Sequence, residues 1–332
     1  MNGRMELQMD SLVGMREIWK ARQRIAEFVA ATPLIYSDVL SERAERPVYL
    51  KLETANETGS FKVRGAANKI LSLSNEQKKR GVAAFSTGNH GLAVASIARK
   101  LGIEATICVS DRVPEAKLEL LKRLGAHIEV TGSSQDAAAE RCERLEKERG
   151  LIAIPPFDDP FIIAGQGTIG LELLEALPDL TDAVIPLSGG GLLSGIGLAL
   201  KVNCPDIRVT GVSMTRSAVM HESLKAGKPL ELDESETLAD SLLGGIGLDN
   251  RHTFQMAKKY MDNSILISEQ DIARSMAFML TRHRMIVEGA AATGVAAVLK
   301  HKIPHKAGSM AIIISGHNVG MDVLKQVLQQ YG

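Results

Sequence analysis

Residues 82–109 read VAAFSTGNHGLAVASIARKLGIEATICV, and that stretch decides the fold. Val82 to Ser86 is a short apolar run of strand length. Asn89 to Leu101 follows with apolar residues at helical spacing and stops at Gly102, and Ala105 to Val109 is a second apolar run. Short apolar runs bounded by turn residues predict buried strands, and the helix between them predicts a right-handed parallel crossover. The rhythm continues downstream. Pro114 opens a helix that stops at Gly125, with proline at the start and glycine past the end. His127 to Thr131 predicts a third strand, Gln135 to Arg149 a third helix and Leu151 to Ile154 a fourth strand.

Pro155-Pro156 and Asp158-Asp159-Pro160 interrupt the pattern, which then restarts. A helix is predicted over Gly165 to Ala176. Ala183 to Leu187, Ile207 to Ser213, Ile265 to Ile267 and Met310 to Ser315 predict strands with helices between them. The expected class is α/β with two parallel-sheet domains: a smaller one over residues 54–154, and a larger one from residues 1–53 plus 155–332. The helical pattern Leu12 to Ala30 is expected to pack on the larger.

Composition narrows the function. The 332 residues are 45% hydrophobic and 23% charged, enough to bury full cores. Lys plus Arg number 39 and Asp plus Glu number 39, so no basic excess argues for nucleic acid or for anionic membrane surfaces. A near-neutral surface agrees with self-association. Cys108, Cys142 and Cys204 have no metal-site spacing and are expected as buried filler. Met1 to Asp10 lacks the apolar core of a signal peptide, and no apolar stretch reaches membrane-helix length. A cytoplasmic setting is expected.

Three segments sit where a predicted strand ends and a turn or helix follows, the place where open α/β sheets bind ligands. They are Ser86-Thr87-Gly88-Asn89-His90, Ser188-Gly189-Gly190-Gly191-Leu192 and Ser315-Gly316-His317-Asn318. The glycine run frees backbone N–H groups to converge on a phosphate at a helix start; the plain alternative is a tight turn with no ligand. No Gly-Lys-Ser/Thr follows, so it is not a nucleotide P-loop, and its glycine spacing misses the dinucleotide fingerprint. Lys62 stands between Phe61 and Val63 in Thr58-Gly59-Ser60-Phe61-Lys62-Val63-Arg64-Gly65-Ala66. Most lysines are solvated, but an apolar setting favours the neutral amine that Schiff-base chemistry needs. Ser86 and Thr87 read equally well as helix N-caps, and Ser315 as a turn or cap. Asn89 offers an amide donor, and the lone His90 reads as structural.

Taken in order along one chain, these segments resemble the fold type II pyridoxal-phosphate enzymes, the tryptophan synthase β-like group, in their threonine/serine dehydratase branch. Ser60-Phe61-Lys62-x-Arg64-Gly65-Ala66 is similar to the cofactor-lysine motif, residues 86–90 to the substrate-carboxylate loop and residues 188–192 to the phosphate loop. Pro156-Phe157-Asp158-Asp159-Pro160, Ala164-Gly165-Gln166-Gly167-Thr168 and Thr237-Leu238-Ala239-Asp240 also resemble that branch. The resemblance covers about residues 15 to 330. It implies pyridoxal 5'-phosphate held covalently by Lys62, with Phe61 and Asn89 against its ring. It also implies Ser188, Gly189, Gly190, Gly191 and Leu192 on its phosphate and Ser315 facing its pyridine nitrogen. Ser86, Thr87, Gly88, Asn89 and His90 would take the substrate carboxylate, and the Thr87 hydroxyl is the candidate acid–base on the opposite face. The implied reaction is loss of water from a small β-hydroxy amino acid, giving a keto acid and ammonia. A homodimer or homotetramer is implied.

Departures from the pattern refine it. Gly211-Val212-Ser213 has serine where metal-binding relatives carry glutamate, which argues against a structural Mg²⁺ or Ca²⁺. His317 replaces a usual glycine, Val287-Glu288-Gly289-Ala290 lacks the usual proline after the glutamate, and no C-terminal regulatory domain is expected. With Gly165 to Glu172 and Ser241 to Arg251, these features are similar to the hydroxyectoine-utilisation dehydratases. The hydroxyectoine ring has no primary amine, so the expected substrate is a ring-opened derivative. The alternatives are an L-threonine/L-serine dehydratase or serine racemase and, from another class, a non-catalytic pyridoxal-phosphate or amino-acid binding protein.

Overall fold

The computed structural model describes residues 13–332 apart from 87, 112, 114, 133 and 134. Thr87, Pro114, Leu12 and the Met1 to Asp10 stretch therefore lie outside the described residues. Among the described residues ten strands occur in chain order: β1 Leu34–Tyr36, β2 Val48–Leu52, β3 Val82–Phe85, β4 Ala105–Val109, β5 His127–Val130, β6 Ile152–Ala153, β7 Leu180–Pro186, β8 Arg208–Met214, β9 Asn263–Ile267 and β10 Ser309–Ile314. They form two sheets, each in its own compact unit.

The smaller unit joins residues up to Ala30 with Lys62–Gln166 and holds the order β5-β4-β3-β6, parallel throughout. One core holds Val63, Ala66 and Ile70 of helix Lys62–Leu71, with Val94 and Ile97 of helix Asn89–Leu101 and Ile107 of β4. Another holds Cys142 and Leu145 of helix Gln135–Arg149 with Ala83 of β3 and Cys108 of β4. Helix Asn89–Leu101 stops where expected because Gly102 takes the left-handed conformation and caps the Ala98 and Arg99 carbonyls. Helix Met15–Ile25 belongs to this unit, with Ile25 and Val29 in its core, and not to the larger unit as the sequence suggested.

The larger unit, Ala31–Phe61 with Gly167–Gly332, holds β1-β2-β10-β7-β8-β9, and β1 alone runs antiparallel. Along β10, Ile312 and Ile314 pack with Val295 of helix Gly289–Leu299, while Ala311 and Ile313 pack with Leu193 and Ile196 of helix Gly191–Asn203. The two-residue period of a strand buried on both faces explains the unbroken apolar run there. β1 and β2 were absent from the sequence expectation.

Two further details differ. The helix expected over Gly165–Ala176 begins at Pro160, because Asp159 Oδ1 accepts the N–H groups of Phe161 (2.8 Å) and Ile162 (3.1 Å). Asp-Pro is thus a helix start here and not a break. Cys108 and Cys142 are buried as expected, but Cys204 is exposed, because it lies just past the end of helix Gly191–Asn203.

Candidate active site

In the larger unit, β7 and β10 are parallel neighbours, so their C-terminal ends lie side by side. β7 leads into Ser188 and the glycine run, all of it buried except the half-buried Ser188. Gly190 has φ +86°, and helix Gly191–Asn203 starts immediately after it with no side chain capping its N-terminus. A Cβ on Gly190 would come within 2.8 Å of Met220 Cε and 3.0 Å of Thr253 Cβ. Only glycine suits this position. The first N–H groups of such a helix have no partners within it and add positive potential, which is the chemistry of an oxyanion seat.

β10 leads into Ser315, which is 2% exposed. The Ser315 carbonyl accepts the Phe61 N–H at 3.0 Å, and Ser60 pairs with Gly316 in an isolated antiparallel bridge. The His317 N–H donates to the Gly59 carbonyl at 3.0 Å, and Asn318 Nδ2 donates to the Thr58 carbonyl at 2.8 Å. Residues 58–61 are thereby zipped to residues 315–318. Gly59 has φ +71°, and a Cβ there would overlap the His317 imidazole. Thr58 Oγ1 and Ser60 Oγ are buried with no hydrogen-bond partner, and such atoms mark a place where a polar group is missing.

Carboxylates that the sequence reading did not place support this turn. Glu53, fully buried, accepts from Thr32 Oγ1 at 2.6 Å and from Asn56 Nδ2 at 2.8 Å. Glu288 accepts from Ser241 Oγ at 2.9 Å, and its carboxylate fills the space over Gly316. The sequence marks Glu288 only within a motif and assigns Glu53 no role; their partners Ser241 and Thr32 are distant in sequence.

In the smaller unit, Lys62 opens helix Lys62–Leu71. It is half-buried, and Nζ donates to the Pro156 carbonyl at 2.8 Å. Two residues earlier, the Ile154 carbonyl lies 2.7 Å from His90 Nε2. The segment after β6 therefore gathers Lys62 and the start of helix Asn89–Leu101. Burial, then the nearby Lys62 charge, pushes the His90 pKa from its ordinary 6.5 down to about 3, despite the Ile154 contact. His90 is thus a neutral, inward-facing ring, in keeping with a structural role. Asn89 is 6% exposed at the helix start, and Ser86 Oγ accepts the Gly88 N–H at 3.2 Å in the turn after β3.

A family model described as "Pyridoxal-phosphate dependent enzyme" matches residues 25–316. The chain belongs to this family. It is 47% identical over 96% of each chain to a protein of Sinorhizobium fredii classed as a threonine dehydratase. It is 40% identical to the L-threonine ammonia-lyase of Thermotoga maritima, over 96% of this chain and 79% of that one. Among solved structures, maize serine racemase superposes with a TM-score of 0.90 at 33% identity, covering 96% of this chain and 98% of that one. The protein is a fold type II pyridoxal-phosphate enzyme of the threonine/serine dehydratase branch, and its cofactor is pyridoxal 5'-phosphate. The residues present fit that group. The Gly190 turn offers N–H groups where a side chain has no room, and the Thr58–Phe61 turn next to Ser315 holds orphaned hydroxyls.

No helix among the described residues is long and apolar enough to cross a membrane. No group of three or more His, Cys, Asp or Glu side chains among them is arranged to hold a metal ion.

Proposed function

We propose that this enzyme is an ammonia-lyase that removes water from a β-hydroxy amino acid and releases a 2-oxo acid and ammonia. The single observation that carries the reading is the side-by-side placement of the Ser188–Leu192 turn and Ser315 at the ends of parallel neighbours β7 and β10. The Ser315 carbonyl holds the Phe61 N–H, and Lys62 is the next residue in the chain. Pyridoxal phosphate, when bound, supplies an aldehyde that captures a primary amine and a conjugated ring that draws electrons from the substrate α-carbon.

Each residue has an assigned task. The N–H groups of Gly189, Gly190, Gly191 and Leu192, with Ser188, hold the cofactor phosphate. Phe61 would pack against the ring and Asn89 would donate to its edge. Ser315 offers a neutral hydroxyl to the ring nitrogen, where a carboxylate would keep that nitrogen protonated. A neutral partner makes a milder electron sink and favours prompt loss of a β-leaving group over transamination. Lys62 Nζ would hold the cofactor and, once freed by the substrate amine, would take the substrate α-proton; that proton and the β-hydroxyl would depart as water. The turn Ser86, Thr87, Gly88, Asn89 and His90 receives the substrate carboxylate, chiefly through backbone N–H groups, since the His90 ring is already engaged by Ile154. Thr87 is the candidate acid–base on the opposite face. The released enamine hydrolyses in water to the 2-oxo acid and ammonia.

The finer substrate assignment is a ring-opened hydroxyectoine derivative. It rests on His317 beside the Gly59 turn and on Gly289 where the usual proline would follow the glutamate. In this reading the enzyme is a closed homo-oligomer, the common case for soluble enzymes. The test is an assay of the holoenzyme for 2-oxo acid, ammonia and product chirality over threonine, serine and hydrolysed hydroxyectoine. Release of 2-oxo acid with ammonia from at least one is expected. Efficient threonine turnover with no action on hydrolysed hydroxyectoine would overturn the finer assignment alone, and racemisation without ammonia the lyase reading.

A further inference from the structure

A cavity of about 320 Å³ lies in the larger unit at the N-terminal ends of β2 and β10, the opposite strand ends from Ser188 and Ser315. Arg43, Arg46, His301 and His305 line it, with an apolar wall of Val298, Ile303 and Met310. We propose that this cavity binds a small organic anion, its carboxylate or phosphate group on the arginines and its short apolar body on that wall.

Arg46 makes the case. Its side chain is 3% exposed, and its side-on fork is fully used. Nε donates to the Gly308 carbonyl at 2.9 Å, and Nη2 donates to Thr181 Oγ1 at 2.6 Å and pairs with Asp182 at 2.8 Å. Nη1, at the far end of the guanidinium, is buried with no partner. Arginine cannot shed its proton, so Arg46 keeps a fixed positive charge in the wall of the cavity, which favours an anion there.

The charge balance agrees. Asp182, 1% exposed, is shared between Arg46 and Arg208, so two buried or half-buried cations face one carboxylate. A buried surplus of positive charge is unfavourable until an anion joins it. Glu45 on the rim and Asp179, bonded to Ser309 Oγ at 2.6 Å, are opposing charges, and Arg43 adds to the positive side.

Helices Asp38–Ala44 and Gly289–Leu299 both end at this rim, and helix C-termini attract cations. Their final carbonyls are already taken, however. Ser41 and Glu42 accept from the N–H groups of Arg46 and Glu45, and Ala296, Ala297 and Val298 from those of Lys300, Lys302 and His301. The cationic side chains are not needed as caps. Glu45 (φ +53°) and His301 (φ +52°) keep side chains at left-handed positions where glycine would be favoured, and strain of this kind gathers at ligand sites.

Calorimetric titration of the cofactor-loaded enzyme with inorganic phosphate and with butyrate, at fixed ionic strength, tests the proposal. Cofactor loading keeps phosphate from the glycine turn. One site per chain is expected for at least one probe. Arg43→Gln with His305→Gln, two exposed changes, should weaken it about tenfold or more, the loss of one or more charge-assisted hydrogen bonds, while turnover stays unchanged. Arg46→Gln, which removes that fixed charge, should weaken it further. Because that variant touches a buried network, its fold is checked by circular dichroism and the rim variant decides. Absence of binding for both probes, or equal affinity in the rim variant, would overturn the proposal.

Discussion

Gly59 and His317 meet where the turn before Lys62 is zipped to the turn after β10, and their fit is close enough to test. Gly59→Ala adds a methyl group at φ +71° into the His317 imidazole. The expected loss is about 2–4 kcal/mol, from the left-handed backbone and the overlap together. His317→Gly in the same chain should recover the overlap part and leave about 1–2 kcal/mol. Urea melts of the two single variants and the double variant measure both; a double variant no more stable than Gly59→Ala would contradict the packing described. His90 gives a pH test. Its folded pKa of about 3 lies below its unfolded value of 6.5, so between those values only the unfolded chain takes up the proton. Stability therefore falls as pH drops below 6.5 towards 3, by up to about 1.4 kcal/mol per pH unit from this group. His90→Gln should flatten that part of the profile in melts at pH 7, 6 and 5, and an unchanged slope would contradict it. At this scale the sequence was informative about groups whose chemistry is local, such as the lysine between Phe61 and Val63 or the glycine run. It was silent on Glu53 and Arg46 and assigned Glu288 no task, since their meaning depends on partners brought by the fold.

Helix Gly191–Asn203 and the turn before it form the element most exposed to a single substitution. Gly190→Ala combines a left-handed backbone with a 2.8 Å approach to Met220 Cε. Turning this residue to relieve the strain would also turn the N–H groups that the cofactor phosphate needs. Cofactor affinity should fall at least tenfold, followed by absorbance titration of the apoenzyme, and parental affinity would remove the turn from the site. The helices bounded by proline and glycine were legible for the same backbone reasons, and Asn89–Leu101 begins and ends where the residues predict. Two kinds of element were not. Helix Pro160–Ala176 was read five residues short because Asp-Pro serves both as a turn and as a helix start, and only the two amides on Asp159 decide between them. Strand β2 was missed because Lys51 interrupts its apolar run. In the fold Lys51 is 2% exposed, with Nζ donating to the Thr32 carbonyl at 2.7 Å and paired with Glu172, so a charge that reads as surface is interior.

Across the whole molecule, the α/β class and the presence of two parallel-sheet units follow from the alternation of strands and helices, but the boundaries between units do not. The chain passes from one unit to the other after Ala30, after Phe61 and after Gln166, so each unit is assembled from separated segments. A linear reading of periodicity sees one early block, and it placed the first helix with the wrong sheet. Lys62 stands at one of these crossings, directly after Phe61, whose amide is held by the Ser315 carbonyl. The central claim is that this one amine carries the cofactor. Its most direct test is borohydride reduction of the holoenzyme followed by peptide mass mapping. The account predicts a pyridoxyl-phosphate adduct on Lys62 alone, lost in Lys62→Ala together with the yellow colour. An adduct on any other lysine, or none on Lys62, would contradict it.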